Sequence, residues 1–476
     1  MRTLDTDVAV IGAGTAGLAA YRAVKSAGRR ALLIEGGVHG TTCARVGCMP
    51  SKLLIAPAEA AHAVERFGAF GLTVDGPVRV DGKAVMARVR RERDRFVGFV
   101  VDGVDRLPAS DKVRGHARFA DDRTLLVARE PGGAADLTLS ADRVVIATGS
   151  SPSVPPAWAA LGTRLVTNTE VFDWQDLPSS VAVFGPGVFG LELGQALHRL
   201  GVRVKVFGLG GGVGPLFDPA IVEYARRALG EEFYLDTDAH ADVSLDGDQV
   251  LVRYRALDGV TRDERFDYVL AATGRRPNVA ALDLARTTLA LDRFGVPVHD
   301  RHTLRAGASS IFIAGDASND VPLLHEAADE GRIAGANAAR YPDVRPGLRR
   351  AGLGVVFTDP QIATVGGGYA AARNAHHVTG MVSFEDQGRS RVMLRNRGLL
   401  HVYAEVDTGL FLGAEMIGPD AEHIGHLLAW ARQMNLAVEQ MLEMPFYHPV
   451  VEEGLRTALR DAQAKLDAAA TTPRAA

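Results

Sequence analysis

The spacing of hydrophobic and polar residues changes twice within the first 35 positions. Residues 7–14 (DVAVIGAG) start with an alternating apolar run, residues 15–28 (TAGLAAYRAVKSAG) are alanine-rich with helical spacing, and residues 31–35 (ALLIE) are apolar again. Short apolar runs bounded by turn residues indicate strands, and the longer stretch indicates a helix. The pattern predicts a strand, a glycine turn, a helix and a second strand.

The predicted turn has the spacing G-x-G-x-x-G, formed by Gly12, Gly14 and Gly17. Glu35 ends the second strand, 23 positions after Gly12. In this context glycines let the backbone approach a pyrophosphate, the helix N-terminus offers unpaired N–H groups, and the acid binds a ribose hydroxyl. This module therefore predicts a dinucleotide site.

The same pattern recurs at residues 180–208 (SVAVFGPGVFGLELGQALHRLGVRVKVFG), and two such modules imply two bound dinucleotides. Further downstream of each module, an apolar strand ends in Ala-Thr-Gly, in VVIATGSSP (144–152) and YVLAATGRRP (268–277). The residues that these repeats add to the predicted dinucleotide sites are Gly185, Gly187, Gly190, Thr148, Gly149 and Gly274.

Beyond the modules, IFIAGDAS (311–318) predicts a strand that runs into Gly-Asp, and residues 323–340 predict an alanine-rich helix. From about residue 348, short alternating strands are mixed with helical stretches. This last part of the chain indicates an α+β segment.

Composition narrows the class of protein. A chain of 476 residues with 47% hydrophobic residues can form two or three domains. A net charge of -4 offers no basic field for nucleic acid or an acidic membrane surface. The first apolar run is interrupted by glycines, so it predicts neither a signal peptide nor a membrane span, and we expect a cytoplasmic protein.

The only two cysteines, Cys43 and Cys48, stand five positions apart in TTCARVGCMPSK (41–52). In a reducing compartment such a close pair is more often catalytic or metal-binding than structural. A four-ligand zinc site would need partners, and only His39 and His62 are near in sequence, so no metal site is predicted.

The chain resembles the pyridine nucleotide-disulfide oxidoreductases of the dihydrolipoamide dehydrogenase and glutathione reductase type. The motifs that carry this resemblance are the two glycine fingerprints, GCMPSK, the paired ATG strands, IFIAGDAS and HPVVEE (448–453). The resemblance spans essentially the whole chain. It implies an α/β fold with two Rossmann-like dinucleotide-binding domains and a C-terminal α+β dimerisation domain. The expected boundaries are 1–152 with 278–347 for the FAD domain, 153–277 for the NAD(P) domain, and 348–476 for the dimerisation domain.

The resemblance also implies two cofactors, FAD in the first module and NAD(H) or NADP(H) in the second. By position in the family motifs, Asp316 would lie at the ribityl chain and the Gly115 backbone at the adenine. Lys52, held by Glu192, would lie beside the flavin, where a lysine favours the negative charge that develops on reduction.

In the family pattern Cys43 and Cys48 form a redox-active disulfide, with Cys48 nearer the flavin and Cys43 meeting the substrate. His448 would act as the base and Glu453 would orient its ring; Glu453 is chosen over Glu452 on spacing alone. The histidine would reach the disulfide of the other subunit, so a homodimer with a shared active site is expected.

That disulfide constrains the local backbone. Five residues of ideal helix rise about 7.5 Å, whereas a disulfide tolerates Cα separations of up to roughly 7 Å. The segment must therefore contain a distorted helical turn, which Pro50 favours because it lacks an N–H and clashes with the carbonyl of Val46.

The preference between NAD and NADP stays open. The acid that would select NAD falls at position 208, which is a glycine, and no arginine that could pair with a 2′-phosphate stands between Lys205 and Asp218. The lipoamide-type GCMPSK favours NAD.

The leading hypothesis is oxidation of dihydrolipoamide, free or on a separate lipoyl carrier, by NAD. The absence of a third cysteine argues against mercuric reductase and high-molecular-weight thioredoxin reductase, and the complete pair argues against soluble transhydrogenase. Glutathione reductase usually has a different tripeptide after the second cysteine. The alternatives are an NAD(P)H-dependent reductase of another low-molecular-weight disulfide or of a quinone, and a non-catalytic flavin-containing scaffold.

Overall fold

The computed structural model describes residues 2–76 and 78–471, which fold into two compact units. The first unit comprises residues 1–50, 90–153 and 275–349, and the second comprises 51–89, 154–274 and 350–476. Two of the unit boundaries, at residues 50/51 and 89/90, fall within helices, α3 (Cys48–Glu65) and α4 (Gly82–Asp105). The three-domain boundaries expected from the sequence stay a prediction.

The first unit contains a seven-stranded sheet in the order β3-β2-β1-β6-β5-β4, with β17 also paired to β6. Strands β1, β2, β3, β6 and β17 are parallel, and β5 pairs antiparallel with both β6 and β4. The elements are β1 (Arg2–Ile11), α1 (Thr15–Ser26), β2 (Ala31–Glu35), α2 (Thr42–Val46), β3 (Lys112–Arg114), β4 (His116–Phe119), β5 (Thr124–Ala128), β6 (Ala135–Ile146), β7 (Ser150–Pro152), β16 (Arg275–Pro277), β17 (Ile311–Ile313) and α7 (Leu324–Arg340).

Small residues bring α1 and α7 of this unit into close contact. A Cβ on Gly331 would lie 2.1 Å from the carbonyl oxygen of Ala16, and a Cβ on Gly335 would lie 2.4 Å from that of Ala20. These pairs are one helical turn apart, so the two backbones touch along a shared stripe. The predicted helix at residues 323–340 therefore completes the core above β1.

The second unit contains a parallel sheet in the order β11-β10-β9-β15-β8. It also has a three-stranded antiparallel sheet, β12-β13-β14. Its elements up to residue 271 are β8 (Leu165–Val166), β9 (Ser180–Phe184), α5 (Val188–Arg199), β10 (Arg203–Phe207), α6 (Pro219–Gly230), β11 (Tyr234–Asp236), β12 (Ala241–Asp246), β13 (Gln249–Arg255), β14 (Thr261–Phe266) and β15 (Tyr268–Ala271).

The C-terminal part of the second unit is an antiparallel sheet in the order β18-β19-β22-β21-β20, combined with helices as the sequence predicts. Its elements are β18 (Leu353–Val356), β19 (Gln361–Val365), α8 (Gly368–Ala372), β20 (His377–Ser383), α9 (Gly388–Val392), β21 (Leu399–Glu405), β22 (Phe411–Gly418), α10 (Ala421–Gln433), α11 (Val438–Leu442) and α12 (Glu453–Thr471).

The predicted α/β class with two glycine-fingerprint modules is confirmed, since β1-α1-β2 and β9-α5-β10 have the predicted order and parallel pairing. Among the helices in the described ranges, none is both long and apolar enough to cross a membrane. The cytoplasmic location stays a prediction.

Candidate active site

The first glycine turn is held tightly by its own backbone. The Gly12 N–H donates to the Ile34 carbonyl at 2.8 Å. A Cβ at Gly12 would lie 2.3 Å from the Ala147 carbonyl oxygen, and a Cβ at Gly17 would lie 1.8 Å from the Gly12 carbonyl oxygen. A Cβ at Gly14 would meet nothing within 4 Å. Two glycines thus permit the packing, and the middle one faces open space that a ligand can enter.

Glu35 is fixed at the mouth of this turn. Its Oε2 accepts the Ala13 N–H at 2.7 Å and its Oε1 accepts the Gly37 N–H at 2.6 Å. Both oxygens are thus anchored by the backbone and the carboxylate is fixed in place, while its contact with a ribose stays a prediction.

A cavity of about 490 Å³ adjoins the turn, and its size falls in the usual range for small-molecule sites. The Gly115 backbone, with φ +148°, lines it together with Thr148 and Gly149. The buried Thr148 Oγ1 has no hydrogen-bond partner among the described residues. An orphaned hydroxyl, the open face of Gly14 and an anchored acid fit a bound dinucleotide.

The predicted ribityl residue, Asp316, is engaged by two residues that sequence reasoning missed. The Ser150 hydroxyl donates to Asp316 Oδ2 at 2.5 Å, and Arg275 Nε donates to the Ser150 Oγ at 2.8 Å. Burial lowers the pKa of Arg275 and the Asp316 charge acts against that shift. The available signal is positional, because Ser150 and Arg275 each directly follow an Ala-Thr-Gly tripeptide.

The helix is interrupted between the two cysteines, as expected from the disulfide geometry. Helix α2 ends at Val46, Gly47 departs from helical geometry with φ −126° and ψ −120°, and α3 begins at Cys48. Thr42 and Arg45, which flank Cys43, line the cavity of the first unit. Helix α2, which carries Cys43, therefore borders this cavity.

Both cysteines are thiols in this structure, with Cys43 half-buried and Cys48 exposed. A hydrogen bond to the Cys48 side chain, followed by burial and the Cys48 charge, raises the pKa of Cys43 above the ordinary thiol value. The backbone N–H groups of Cys48 and Met49, at the start of α3, act in the opposite direction. Thiolate is the reactive form, so Cys43 needs a base.

His448 and Glu453 form the predicted pair at the start of α12. The ring Nδ1 lies 2.9 Å from Glu453 Oε2, and Arg456 donates to the other carboxylate oxygen at 2.9 Å. Partial burial opposes the shift, but the hydrogen bond from His448 and the nearby charges lower the pKa of Glu453. The carboxylate thus orients the ring through Nδ1 and leaves Nε2 pointing away from it, on a side chain that is 80% exposed.

Lys52 and Glu192 also meet as predicted. Lys52 Nζ donates to both carboxylate oxygens at 2.9 and 2.8 Å, and Glu192 is only 2% exposed. The Phe357 N–H donates to Glu192 at 3.0 Å and the Phe357 ring lies 4.4 Å from Nζ. A buried glutamate thus orients a half-buried lysine, and Phe357 is a second contact that the sequence did not reveal.

The second glycine turn repeats the packing of the first. A Cβ at Gly185 would lie 2.3 Å from the Ala272 carbonyl oxygen, a Cβ at Gly190 would lie 1.9 Å from the Gly185 carbonyl oxygen, and Gly187 is open. Gly274 follows β15 with φ +100°. The turn thus has the same open space as the first one, and the binding of a second dinucleotide by these residues stays a prediction.

Comparison with known families agrees with this geometry. Residues 6–331 match the pyridine nucleotide-disulphide oxidoreductase model, and residues 353–459 match the dimerisation domain of the same group. The chain belongs to the pyridine nucleotide-disulphide oxidoreductase family. Its members depend on FAD and use NAD(P)H, which confirms the predicted cofactors.

Several relatives cover nearly the whole chain. A mercuric reductase of Acidithiobacillus ferrooxidans is 32% identical over 95% of this chain and 82% of its own length. Dihydrolipoyl dehydrogenase 3 of Pseudomonas aeruginosa is 32% identical over 96% of this chain and 97% of its own length.

Solved structures share the fold. LpdA of Mycobacterium tuberculosis superposes with a TM-score of 0.79 at 25% identity, covering 97% of this chain and 99% of its own. The HOCl-induced flavoprotein disulfide reductase RclA of Escherichia coli superposes with a TM-score of 0.78 at 22% identity, covering 96% and 99%. The protein is thus an oxidoreductase of this family with the dimerisation domain typical of it.

Proposed function

We propose that this protein catalyses the oxidation of a dithiol of the dihydrolipoamide type by NAD, through a redox-active Cys43–Cys48 pair. The observation that supports this most directly is the helix break at Gly47, which separates Cys43 in α2 from Cys48 at the start of α3 and provides the distorted turn that a disulfide between them requires. The full-length likeness to dihydrolipoyl dehydrogenase 3 adds support for the substrate class.

FAD, when bound, supplies an electron carrier that can exchange with both thiols and a nicotinamide. The first unit has the residues to hold it: Gly14 leaves space for the pyrophosphate, Glu35 is aimed at a ribose, and the Thr148 hydroxyl lacks a protein partner in the described chain. Asp316, with Ser150, supplies polar groups for the ribityl chain.

The chemistry at sulfur follows from the two cysteines. A substrate thiolate attacks Cys43 of the oxidised pair, and the Cys43–Cys48 bond breaks with Cys48 leaving as thiolate. The second substrate thiol then displaces Cys43, so the substrate becomes a disulfide and the pair holds two electrons. Overall, the dithiol loses two electrons and two protons: NAD⁺ takes up both electrons and one proton as a hydride, and the second proton is released to solvent.

His448 moves the protons in this scheme. Glu453 accepts the hydrogen bond from Nδ1, which leaves Nε2 to remove a proton from an attacking thiol. The dimerisation domain supports a homodimer in which this histidine serves the cysteine pair of the other subunit.

Steady-state assays of the purified holoenzyme test the proposal. We expect turnover with dihydrolipoamide and NAD⁺ that exceeds turnover with oxidised glutathione and NADPH or with a quinone. Cys43→Ser should abolish the thiol reaction while FAD stays bound, and His448→Gln should slow it by about 100-fold. His423→Gln, another exposed histidine next to a glutamate, should have no effect. No turnover with any dithiol or disulfide would contradict the proposal and favour a scaffold.

A second candidate is NADPH-dependent reduction of a thiophilic metal ion by the same cysteine pair. It is favoured by the mercuric reductase relative, whose identity of 32% equals that of dihydrolipoyl dehydrogenase 3. The sequence offers no third cysteine to deliver the ion. NADPH oxidation that depends on added Hg²⁺ and exceeds the dihydrolipoamide rate would favour this candidate.

A further inference from the structure

The two glycine turns can be aligned residue by residue from their backbone bonds. The Gly12 N–H donates to Ile34 O at 2.8 Å, and the Gly185 N–H donates to Phe207 O at the same distance. Position 208 therefore corresponds to Glu35, position 186 to Ala13, and position 210 to Gly37.

The second turn has lost both the acid and one of its donors. Residue 186 is proline, so the N–H that Ala13 gives to Glu35 has no equivalent. A Cβ at Gly208 would lie 2.6 Å from Pro186 Cγ and 2.7 Å from the Thr237 carbonyl oxygen. No side chain fits at position 208 without a shift of the backbone. The geometry of this turn therefore requires a glycine where the first turn has an acid.

The remaining donor binds a different carboxylate. The Gly210 N–H, which corresponds to that of Gly37, donates to Asp238 Oδ1 at 2.7 Å. Asp238 follows β11, the strand next to β10, and its own N–H donates to Asp236 at 3.1 Å. The Ala239 N–H donates to the Gly208 carbonyl at 2.9 Å, which ties this segment to the end of β10. A carboxylate is thus anchored at the same edge of the sheet, from the neighbouring strand.

The surroundings of Asp238 are suited to a ribose and not to a phosphate. The Asp238 side chain is exposed, and its Oδ2 accepts no hydrogen bond within the described ranges. Residues 206–217 contain no lysine or arginine. The Nζ of Lys205 donates a hydrogen bond to Glu264 Oε1 at 2.7 Å. A 2′-phosphate here would meet a carboxylate with no cation from this loop to compensate it.

We propose that Asp238 binds the adenosine ribose hydroxyls of the nicotinamide dinucleotide and thereby selects NAD(H) over NADP(H). This inference rests on the proposed function only in that the second glycine module binds the nicotinamide dinucleotide. In the first module the acid at the ribose position stands at the end of the second strand, β2, whereas in the second module the proposed acid follows the third strand, β11.

Calorimetric titration of the oxidised holoenzyme with NAD⁺ and with NADP⁺ tests the inference. We expect the wild type to bind NAD⁺ at least about 10-fold more tightly than NADP⁺. Asp238→Asn keeps the shape and an oxygen for the Gly210 N–H but removes the charge, so NAD⁺ should bind about 10-fold more weakly and NADP⁺ should bind as well as before or better. Asp248→Asn, at a side chain that is 91% exposed in the same unit, is the matched control and should change neither.

Each other outcome overturns the inference. A wild type that prefers NADP⁺, or an Asp238→Asn variant with unchanged affinities, removes the role of Asp238. Equal weakening of both dinucleotides would mean that Asp238 only holds the loop. The titration needs no thiol substrate, so a protein that shows the predicted selectivity but oxidises no dithiol would contradict the proposed function alone.

Discussion

The glycine turns of the first and second units pack in nearly the same way, but they differ in the residue at the position where an acid would bind a ribose. In both, the third glycine lies so close to the first that a Cβ would be 1.8 Å (Gly17) or 1.9 Å (Gly190) from a carbonyl oxygen. At the strand end, however, one turn carries the anchored Glu35 and the other carries Gly208, which has no room for a side chain. The backbone contacts among the glycines are thus the same in the two turns, whereas the residue at the ribose position is a glutamate in one and a glycine in the other.

The largest expected effect tests the shared packing. Gly17→Ala and Gly190→Ala should each reduce the free energy of unfolding by about 3 kcal/mol or more. In each case the added Cβ would overlap the carbonyl oxygen of the first glycine of the turn, whose N–H is hydrogen-bonded to the end of the neighbouring strand. Denaturant unfolding of the two variants measures this. A loss in only one variant would show that the two turns are not equivalent.

The next effect tests the difference between the turns. Glu35→Ala leaves the Ala13 and Gly37 N–H groups without their acceptor and removes the group aimed at a ribose. We expect FAD affinity to fall by about 2 kcal/mol and nicotinamide affinity to stay unchanged. Fluorescence of released FAD measures the first quantity. Asp136→Ala, an exposed acid of the same unit, should retain FAD like the wild type.

A third prediction concerns the residue two positions after the last glycine, which is Ala19 in the first turn and the buried Glu192 in the second. Glu192→Gln replaces a charged partner of Lys52 by a neutral one, and we expect a loss of about 1.5 kcal/mol in the free energy of unfolding. Glu223→Gln breaks an exposed pair in the same unit and should cost at most about 0.5 kcal/mol. An equal loss of unfolding free energy in the two variants would show that the Lys52–Glu192 pair contributes no more to stability than an exposed ion pair does.

A fourth prediction uses pH. Burial acts against the shift, but hydrogen bonds from Tyr21 and Lys25 of α1 lower the pKa of Asp111. Because the folded-state pKa is the lower one, this contribution is complete above the ordinary aspartate value near 3.9 and is lost as pH falls through the folded-state value. The second unit has Gly194 where Tyr21 stands, so no such bond forms there.

Hydrogen exchange at low pH should therefore show a loss of protection in α1 that α5 does not show. Asp111→Asn should remove this pH dependence and weaken α1 already at neutral pH. Parallel loss of protection in both helices would instead indicate general acid unfolding.

The smallest expected effect concerns the middle glycines. Gly14→Ala and Gly187→Ala introduce a methyl group into open space at negative φ, so the free energy of unfolding should change by less than about 0.5 kcal/mol. Each should weaken only the dinucleotide of its own unit. Thermal unfolding together with FAD and NAD⁺ titrations checks both statements.

The sequence was sufficient to predict the features that depend on residues close together along the chain. The strand–turn–helix–strand order, the three glycines of each turn and the interruption between Cys43 and Cys48 follow from spacing and backbone geometry, and the structure has them. The contacts that it could not supply join distant residues: Ser150 with Asp316, and the Phe357 N–H with Glu192. Such pairs are fixed by how the strands are ordered in space, which local patterns do not contain.

Asp238 shows the same limit in another way. The alignment of the fingerprints identified the missing acid at 208, but the acid that we propose in its place follows a different strand, β11, and lies 28 residues beyond Gly210. Only the pairing of β11 with β10 brings it to the turn.

The close contact of α1 with α7 has a consequence for biosynthesis. Gly331 and Gly335 lie more than 300 residues after their partners Ala16 and Ala20. At the usual ribosomal speed of 5–20 residues per second, α1 must wait roughly 15–60 s for α7 to be translated. During this interval the face of α1 that α7 covers in the folded protein is exposed, so we expect this helix to be a binding site for a chaperone.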